Sequence, residues 1–121
     1  MTDGGSIMTM TYYGAEKVIA GYNVMGVAKS ALEASTRYLA SDLGPRNIRV
    51  NVVSPGGTET RLIRSYLDAQ PEVEKALNQS VPLGRLAQPN EVASAVLFLA
   101  SSESSFVAGH ELFVDGGVAA V

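Results

Sequence analysis

The sequence contains no cysteine. Disulfides, thiol catalysis and cysteine-ligated metal are thereby excluded, although this fixes the compartment only weakly. His110 is the single histidine, so a multi-histidine metal site is excluded too. It stands beside a glycine ahead of a strand-like segment and reads as a surface residue; no metal site is read anywhere. The net charge is −3 and the basic residues are scattered, which offers no electrostatic basis for binding nucleic acid or an anionic membrane. The longest clean apolar run, Val92 to Ala100 with Ser94 inside it, is too short to span a bilayer. Met1-Thr2-Asp3-Gly4-Gly5 has neither a basic leader nor an apolar signal core, and the cytoplasm is the expected compartment.

A further absence concerns glycine placement. Nowhere does a strand run into a glycine-rich turn and then a helix, the arrangement that seats a dinucleotide pyrophosphate. Gly4-Gly5 precedes the first strand, Gly56-Gly57 has no clean helix behind it, and Gly116-Gly117 sits near the last residue.

What is present is a balanced globular composition. With 46% hydrophobic and 17% charged residues over 121 positions, the chain is expected to fold as one domain. Ser6 to Thr11 alternates apolar and polar and reads as a strand. Tyr12 to Gly21 reads as a loop with room for one helical turn. From Tyr22 to Leu43, Val24, Val27, Ala28, Ala31, Leu32, Tyr38, Leu39 and Leu43 recur at three- and four-residue steps, the period of a helix. Gly44-Pro45 is expected to close it, with the glycine as its C-terminal cap. Ile48 to Val53 is β-branched and apolar, as in a strand covered on both faces, and Ser54 to Gly57 ends it.

Thr58 to Val81 is polar, with helical patterns around 59–69 and 71–79. A long excursion after a parallel strand suits a substrate lid, and equally a pair of ordinary surface helices. Pro89-Asn90-Glu91 starts another helix, whose buried face is expected to be Val92, Val96, Leu97 and Leu99. Glu111 to Val114 reads as a last strand stopped by an Asp115-Gly116-Gly117 turn. Asn51, inside a buried strand, is expected to bond neighbouring backbone.

The order strand, long helix, strand, helices, strand predicts an α/β fold with a parallel sheet: half of a Rossmann-like doubly wound domain. The first strand would present an unpaired edge. Residues 1–121 are therefore expected to be a single partial domain, the C-terminal half, with the dinucleotide-binding N-terminal half elsewhere.

The candidate chemistry lies at Tyr12, Tyr22 and Lys29. Seven residues of helix turn through about 700°, so Tyr22 and Lys29 are expected on one face, roughly 10 Å apart along the axis. A phenol beside an ammonium can act as an acid and oxyanion stabiliser. On spacing alone such a pair is more often structural than catalytic.

The tract from Gly4 to Asn51, GGSIMTMTYYGAEKVIAGYNVMGVAKSALEASTRYLASDLGPRNIRVN, resembles the NADH-dependent enoyl-acyl-carrier-protein reductases of bacterial and plastid fatty-acid synthesis. These belong to the short-chain dehydrogenase/reductase superfamily. Their Tyr-x6-Lys signature is matched by Tyr22 and Lys29, and their upstream tyrosine by Tyr12. The larger carbonyl-reducing branch has Tyr-x3-Lys preceded by a serine; Met25 and Tyr12 stand in those places here. The second half (SPGGTETR and VPLGRLAQPNEVASAVLFLASSESSFVAGHELFVDGG) looks closer to that carbonyl-reducing branch. Ser54-Pro55-Gly56-Gly57 departs from the usual Ser-Ala-Gly-Pro of the enoyl branch, and Ala20-Gly21 from its Pro-Asn.

The resemblance implies an oxidoreductase that transfers hydride from NADH, with NADPH as the alternative, to the double bond of a trans-2-enoyl thioester on acyl carrier protein or coenzyme A. It implies that Tyr22 hydrogen-bonds the developing enolate, Lys29 holds the nicotinamide ribose, Tyr12 lines the acyl pocket and Thr60 contacts the cofactor. The long helix has a small-residue face, Ala28, Ala31 and Ser35, that suits close packing, and the resemblance, in whose superfamily this helix builds a four-helix dimer interface, implies a homotetramer. The alternatives are a carbonyl reductase for 3-oxoacyl thioesters or alcohols, and a non-catalytic fragment.

Overall fold

The computed structural model describes residues 1 and 4–121; the leader reading of the first five residues lies partly outside them. Seven main elements follow in order: β1 (Gly5–Met10), α1 (Asn23–Leu43), β2 (Ile48–Pro55), α2 (Arg61–Asp68), α3 (Pro71–Ser80), α4 (Pro89–Ala100) and β3 (Glu111–Val114). The strands form one parallel sheet in the order β1-β2-β3, as expected for half of a doubly wound α/β domain. Register runs Met8 to Asn51 and Val52 to Glu111.

Alternation along β2 divides its side chains between the two faces of the sheet. Val53 packs with Val92 and Leu99 of α4, joined by Met8, Val96, Leu112 and Val114, and forms the apolar core of one face. Asn51 lies on the same face and is wholly buried: its amide donates to Val107 O (2.8 Å) and accepts from His110 N–H (3.0 Å). The backbone role expected of Asn51 holds, and His110 is exposed as expected. Arg49, also on this face, donates to the Leu99 and Ser101 carbonyls and to Ser104 Oγ, fastening β2 to the end of α4.

The opposite face is covered by α1: Ile48, Val50 and Val52 of β2 are buried there, against a layer from α1 whose own buried side chains are polar. Thr11 donates to the buried Glu33 carboxylate; Thr36 and Gly26 are the other buried residues of α1. The apolar stripe whose period marks α1 as a helix therefore faces outward: Val24, Val27 and Tyr38 are each about three-quarters exposed.

The cap expected at Gly44 holds, and two local expectations are corrected. Gly44 caps α1 in a right-handed conformation (φ −54°) and the chain continues as a 3-10 turn through Gly44–Arg46; the left-handed residue that reverses it is Asn47 (φ 55°). Pro45 ends the α-helical bonding yet fits the start of that tighter turn. Leu97 is mostly exposed, because Val92, Val96 and Leu99 already fill the stripe that meets the sheet. Finally, β2 runs two residues further than Val53, to Pro55, since Ser54 and Pro55 pair with Phe113 and Val114.

Beyond β2, α2 and α3 form a short helical pair. Arg64 of α2 bonds Glu74 of α3, Glu59 ahead of α2, and Asp68 one turn on, all at 2.8 Å. The guanidinium holds the Glu59 and Glu74 carboxyls below the ordinary carboxylate range. Among the described residues no helix is long and apolar enough to cross a membrane.

Candidate active site

The candidate residues gather where β1 ends, at the carboxyl edge of the parallel strands. In open α/β sheets that edge is where ligands bind. Tyr12 lies two residues past β1 and Tyr22 immediately precedes α1. The segment between them is compact: Tyr13–Ala15 forms a 3-10 turn, and Ala15 N–H bonds Tyr12 O at 2.8 Å. This bend brings the two rings together edge to face, with centroids 5.2 Å apart and planes inclined by 75°.

Two glycines allow that closeness. A Cβ on Gly14 would lie 2.4 Å from Tyr22 Cδ1, and one on Gly26 would lie 2.6 Å from the Gly14 carbonyl oxygen. Ser30 Oγ lies 2.7 Å from Ala15 O and 2.9 Å from Gly26 O, so its hydroxyl ties the loop to the helix. Gly14, Gly26 and Ser30 are not among the residues expected at the site. A signal was available, because glycine inside a helix is costly unless something must approach closely.

Lys29 sits two turns into α1. Its Nζ donates to Met10 O at 2.9 Å, the last residue of β1, and so its side chain crosses to the strand end beside Tyr12. An ammonium has three donors, so two remain for other acceptors. Tyr12, Tyr22 and Lys29 are thus brought to one place. Thr60 is not part of that cluster. It stands beyond the end of β2 as the N-cap of α2, where Oγ1 accepts from Ile63 N–H at 3.3 Å. Its hydroxyl hydrogen is left available.

Two concavities lie on this side of the sheet. One of about 270 Å³ is lined by Tyr22, Gly14, Ile19, Gly26, Val27 and Ser30. A larger one, about 440 Å³, lies at the ends of β2 and β3 among Gly57, Val81, Leu83, Phe113, Asp115 and Gly117. The larger holds none of the four expected residues, so size alone is a poor guide to the chemistry here. Asp115 accepts from Gly117 N–H and Ala119 N–H, which makes the expected terminating turn.

A family model described as Enoyl-(Acyl carrier protein) reductase matches residues 1–119. The chain is 52% identical over 117 residues to an NADH-dependent enoyl-acyl-carrier-protein reductase of Rhizobium meliloti, and 46% identical to one of Bacillus subtilis. Each match covers 97% of this chain but only 43% and 45% of the relative, so the chain spans less than half of their length. These matches run through both halves of the chain. A crystal structure titled a putative β-ketoacyl-ACP reductase superposes with a TM-score of 0.84 at 44% identity, over 97% of this chain and 48% of that one. The chain belongs to the enoyl-(acyl carrier protein) reductase family.

Proposed function

We propose that this chain carries the catalytic tyrosines and lysine of an NADH-dependent enoyl-acyl-carrier-protein reductase, acting on trans-2-enoyl thioesters in fatty-acid synthesis. The observation that carries the reading is the convergence of Tyr12, Tyr22 and Lys29 at the end of β1. The names of the relatives supply the reaction class, and the cytoplasm is the compartment this reading implies.

The nicotinamide end of a dinucleotide fits what is present. Lys29 has two donors beyond its bond to Met10 O, enough for a pair of ribose hydroxyls. The pyrophosphate has no glycine-rich cradle among the described residues, so no contact to it is assigned. When bound, the cofactor supplies hydride to the β-carbon of the thioester.

The chain's own residues do the rest. Tyr22 donates its phenolic hydrogen to the oxygen where charge develops, a preorganised contact worth about 2.7–4 kcal/mol in known oxyanion holes. Tyr12, against the edge of that ring, fixes its orientation and lines the acyl side. Lys29 keeps a positive charge at the strand end. Thr60 offers its hydroxyl to the cofactor from the start of α2. We assign the α2–α3 pair, which follows the carboxyl end of β2 and is held by Arg64, the part of a substrate lid.

A second reading, reduction of a 3-oxoacyl thioester, draws on the likeness to the structure titled a β-ketoacyl-ACP reductase. Against it, Met25 stands where that branch has its proton donor, and a thioether has no proton to give. NADH oxidation with each thioester separates the two. Loss of the enoyl activity in both Tyr22→Phe and Lys29→Ala supports the assignment, and near-wild-type rates in both would sink it.

The outward stripe of α1, with Val24, Val27, Ala28, Ala31 and Ser35 exposed, supports a homo-oligomer built helix against helix, a homotetramer on the family pattern.

A further inference from the structure

We propose that Thr11 and Glu33 are positioning residues for the tyrosine–lysine cluster: their bond sets the strand end that leads into Tyr12 against the helix that carries Lys29. The kinetic consequence rests on the reductase reading, whereas the geometry does not.

Tyr22, Gly26, Lys29, Glu33 and Thr36 follow one another at steps of four, three, four and three residues, which lines them along a single face of a helix. That face meets the sheet, since Gly26, Glu33 and Thr36 are the buried residues of α1. Glu33 stands one turn beyond Lys29 and is 6% exposed. A glutamate is rarely buried so far without a partner. Among the described residues it has no salt bridge, and its hydrogen-bond donor is the Thr11 hydroxyl.

Thr11 is itself 4% exposed and is shared by sheet and helix. Its N–H donates to Val53 O at 2.9 Å and carries the β1–β2 ladder one residue past β1, while its hydroxyl reaches Glu33. The residue before it, Met10, accepts from Lys29 Nζ at 2.9 Å, and the residue after it is Tyr12. Two contacts one helical turn apart therefore hold the strand end on α1 immediately ahead of Tyr12. One contact fixes a distance; two fix an orientation. A preorganised site needs such support, because a displacement of about 1 Å can cost about 10²-fold in rate.

Carboxylate oxygens of Glu16 and Glu111 lie within 4.8 Å of one on Glu33, so replacing Glu33 alone alters more than its bond to Thr11. The Thr11 hydroxyl isolates that bond. Thr11→Val keeps the branched shape and removes the donor, and Thr11→Ser keeps the donor. Thr11→Val combined with Glu33→Leu removes the same bond without leaving a buried carboxylate unpaired.

The test compares these variants of the full-length protein by steady-state kinetics, with NADH and a short trans-2-enoyl thioester, and by NMR of labelled tyrosine rings. Thr11→Val and the double variant should lower kcat about tenfold or more with KM for the thioester within about twofold, while Thr11→Ser stays within about twofold of the unsubstituted rate. The Tyr12 and Tyr22 ring resonances should move in Thr11→Val and return in Thr11→Ser, with Tyr38 and Tyr66 unmoved in both. A purely structural role predicts a lower Tm with kcat and ring resonances unchanged, and that result would overturn the proposal. So would a loss of kcat that Thr11→Ser does not restore. If the unsubstituted protein turns over no enoyl thioester, the reductase reading fails, and the Tyr12 and Tyr22 resonances still decide whether Thr11 positions the rings.

Discussion

Tyr12 and Tyr22 meet edge to face with ring centroids 5.2 Å apart, an approach that the missing Cβ atoms of Gly14 and Gly26 leave room for. The ring of Tyr22 is positioned by backbone closeness as much as by its own contacts. Gly26→Ala would set a methyl against the Gly14 carbonyl inside a packed helix-loop junction. The expected cost is about 1–3 kcal/mol of stability, the usual range for overpacking. Turnover should fall further than stability explains, since the displaced loop carries Tyr12. Denaturation and steady-state kinetics on the one variant check both parts.

Asn51, itself wholly buried, joins β2 to the segment ahead of β3 through two bonds. Asn51→Ala leaves the Val107 carbonyl and the His110 N–H without partners. A loss of about 2–6 kcal/mol is expected, from about 1–3 kcal/mol for each of the two orphans. Urea unfolding measures it, and a change within error of zero would contradict the packing described.

Arg64 ties α2 to α3 and to the turn before them through Glu59, Asp68 and Glu74, and a lid role for the pair makes a kinetic prediction. Arg64→Ala should free α3 from α2. The expected signature is faster amide exchange in residues 71–80 and a raised KM for the thioester, with kcat changed less. Equal loss in kcat and kcat/KM would place Arg64 elsewhere in the mechanism.

Acid should loosen the same region and the start of α4. Arg85 forks onto Glu91, which also accepts from Gln88 N–H, and these contacts lower the Glu91 carboxyl to about 2. A carboxyl depressed in the fold stabilises above its ordinary value near 4.5, and that contribution fades as pH falls towards about 2. Glu59 and Glu74 act in the same direction. Thermal unfolding of Glu91→Gln should therefore be flatter with pH in that window than the unsubstituted protein.

The outward stripe of α1 makes a solution prediction. Val27→Glu adds a charge to an apolar stripe that is largely exposed in the isolated subunit. Sedimentation velocity should show an oligomer for the original sequence and smaller species for the variant. An unchanged profile would remove α1 from the interface.

Element order was legible because punctuation and period agree. Pro45, Pro71 and Pro89 stand at or near element starts, and β-branched residues crowd β2. Which side of α1 turns inward was not legible. Its apolar period is real but faces outward, while Glu33 and Thr36 are buried. A hydrophobic repeat reports a face that will be covered, and a second subunit covers a face as well as a sheet does. Leu97 fails for a related reason: one apolar stripe of α4 already fills the space beneath it.

The tyrosine–lysine cluster could be named from spacing and resemblance, whereas of its supports only Gly26, a glycine inside a helix, left a signal. Gly14, Gly26 and Ser30 act through close approach, which needs the folded loop to be seen. The carboxylates of Glu16, Glu33 and Glu111 meet only because the β1-β2-β3 order brings three distant segments together.

The central claim is that Tyr22 and Lys29 serve reduction of an enoyl thioester. The most direct measurement is NADH oxidation by the full-length protein with a short trans-2-enoyl thioester, set beside its 3-oxoacyl counterpart. The account predicts turnover on the enoyl substrate that Tyr22→Phe lowers by about 10²–10³-fold, the range for losing one oxyanion donor. Turnover on the 3-oxoacyl thioester alone, or an enoyl rate untouched by Tyr22→Phe, would contradict it.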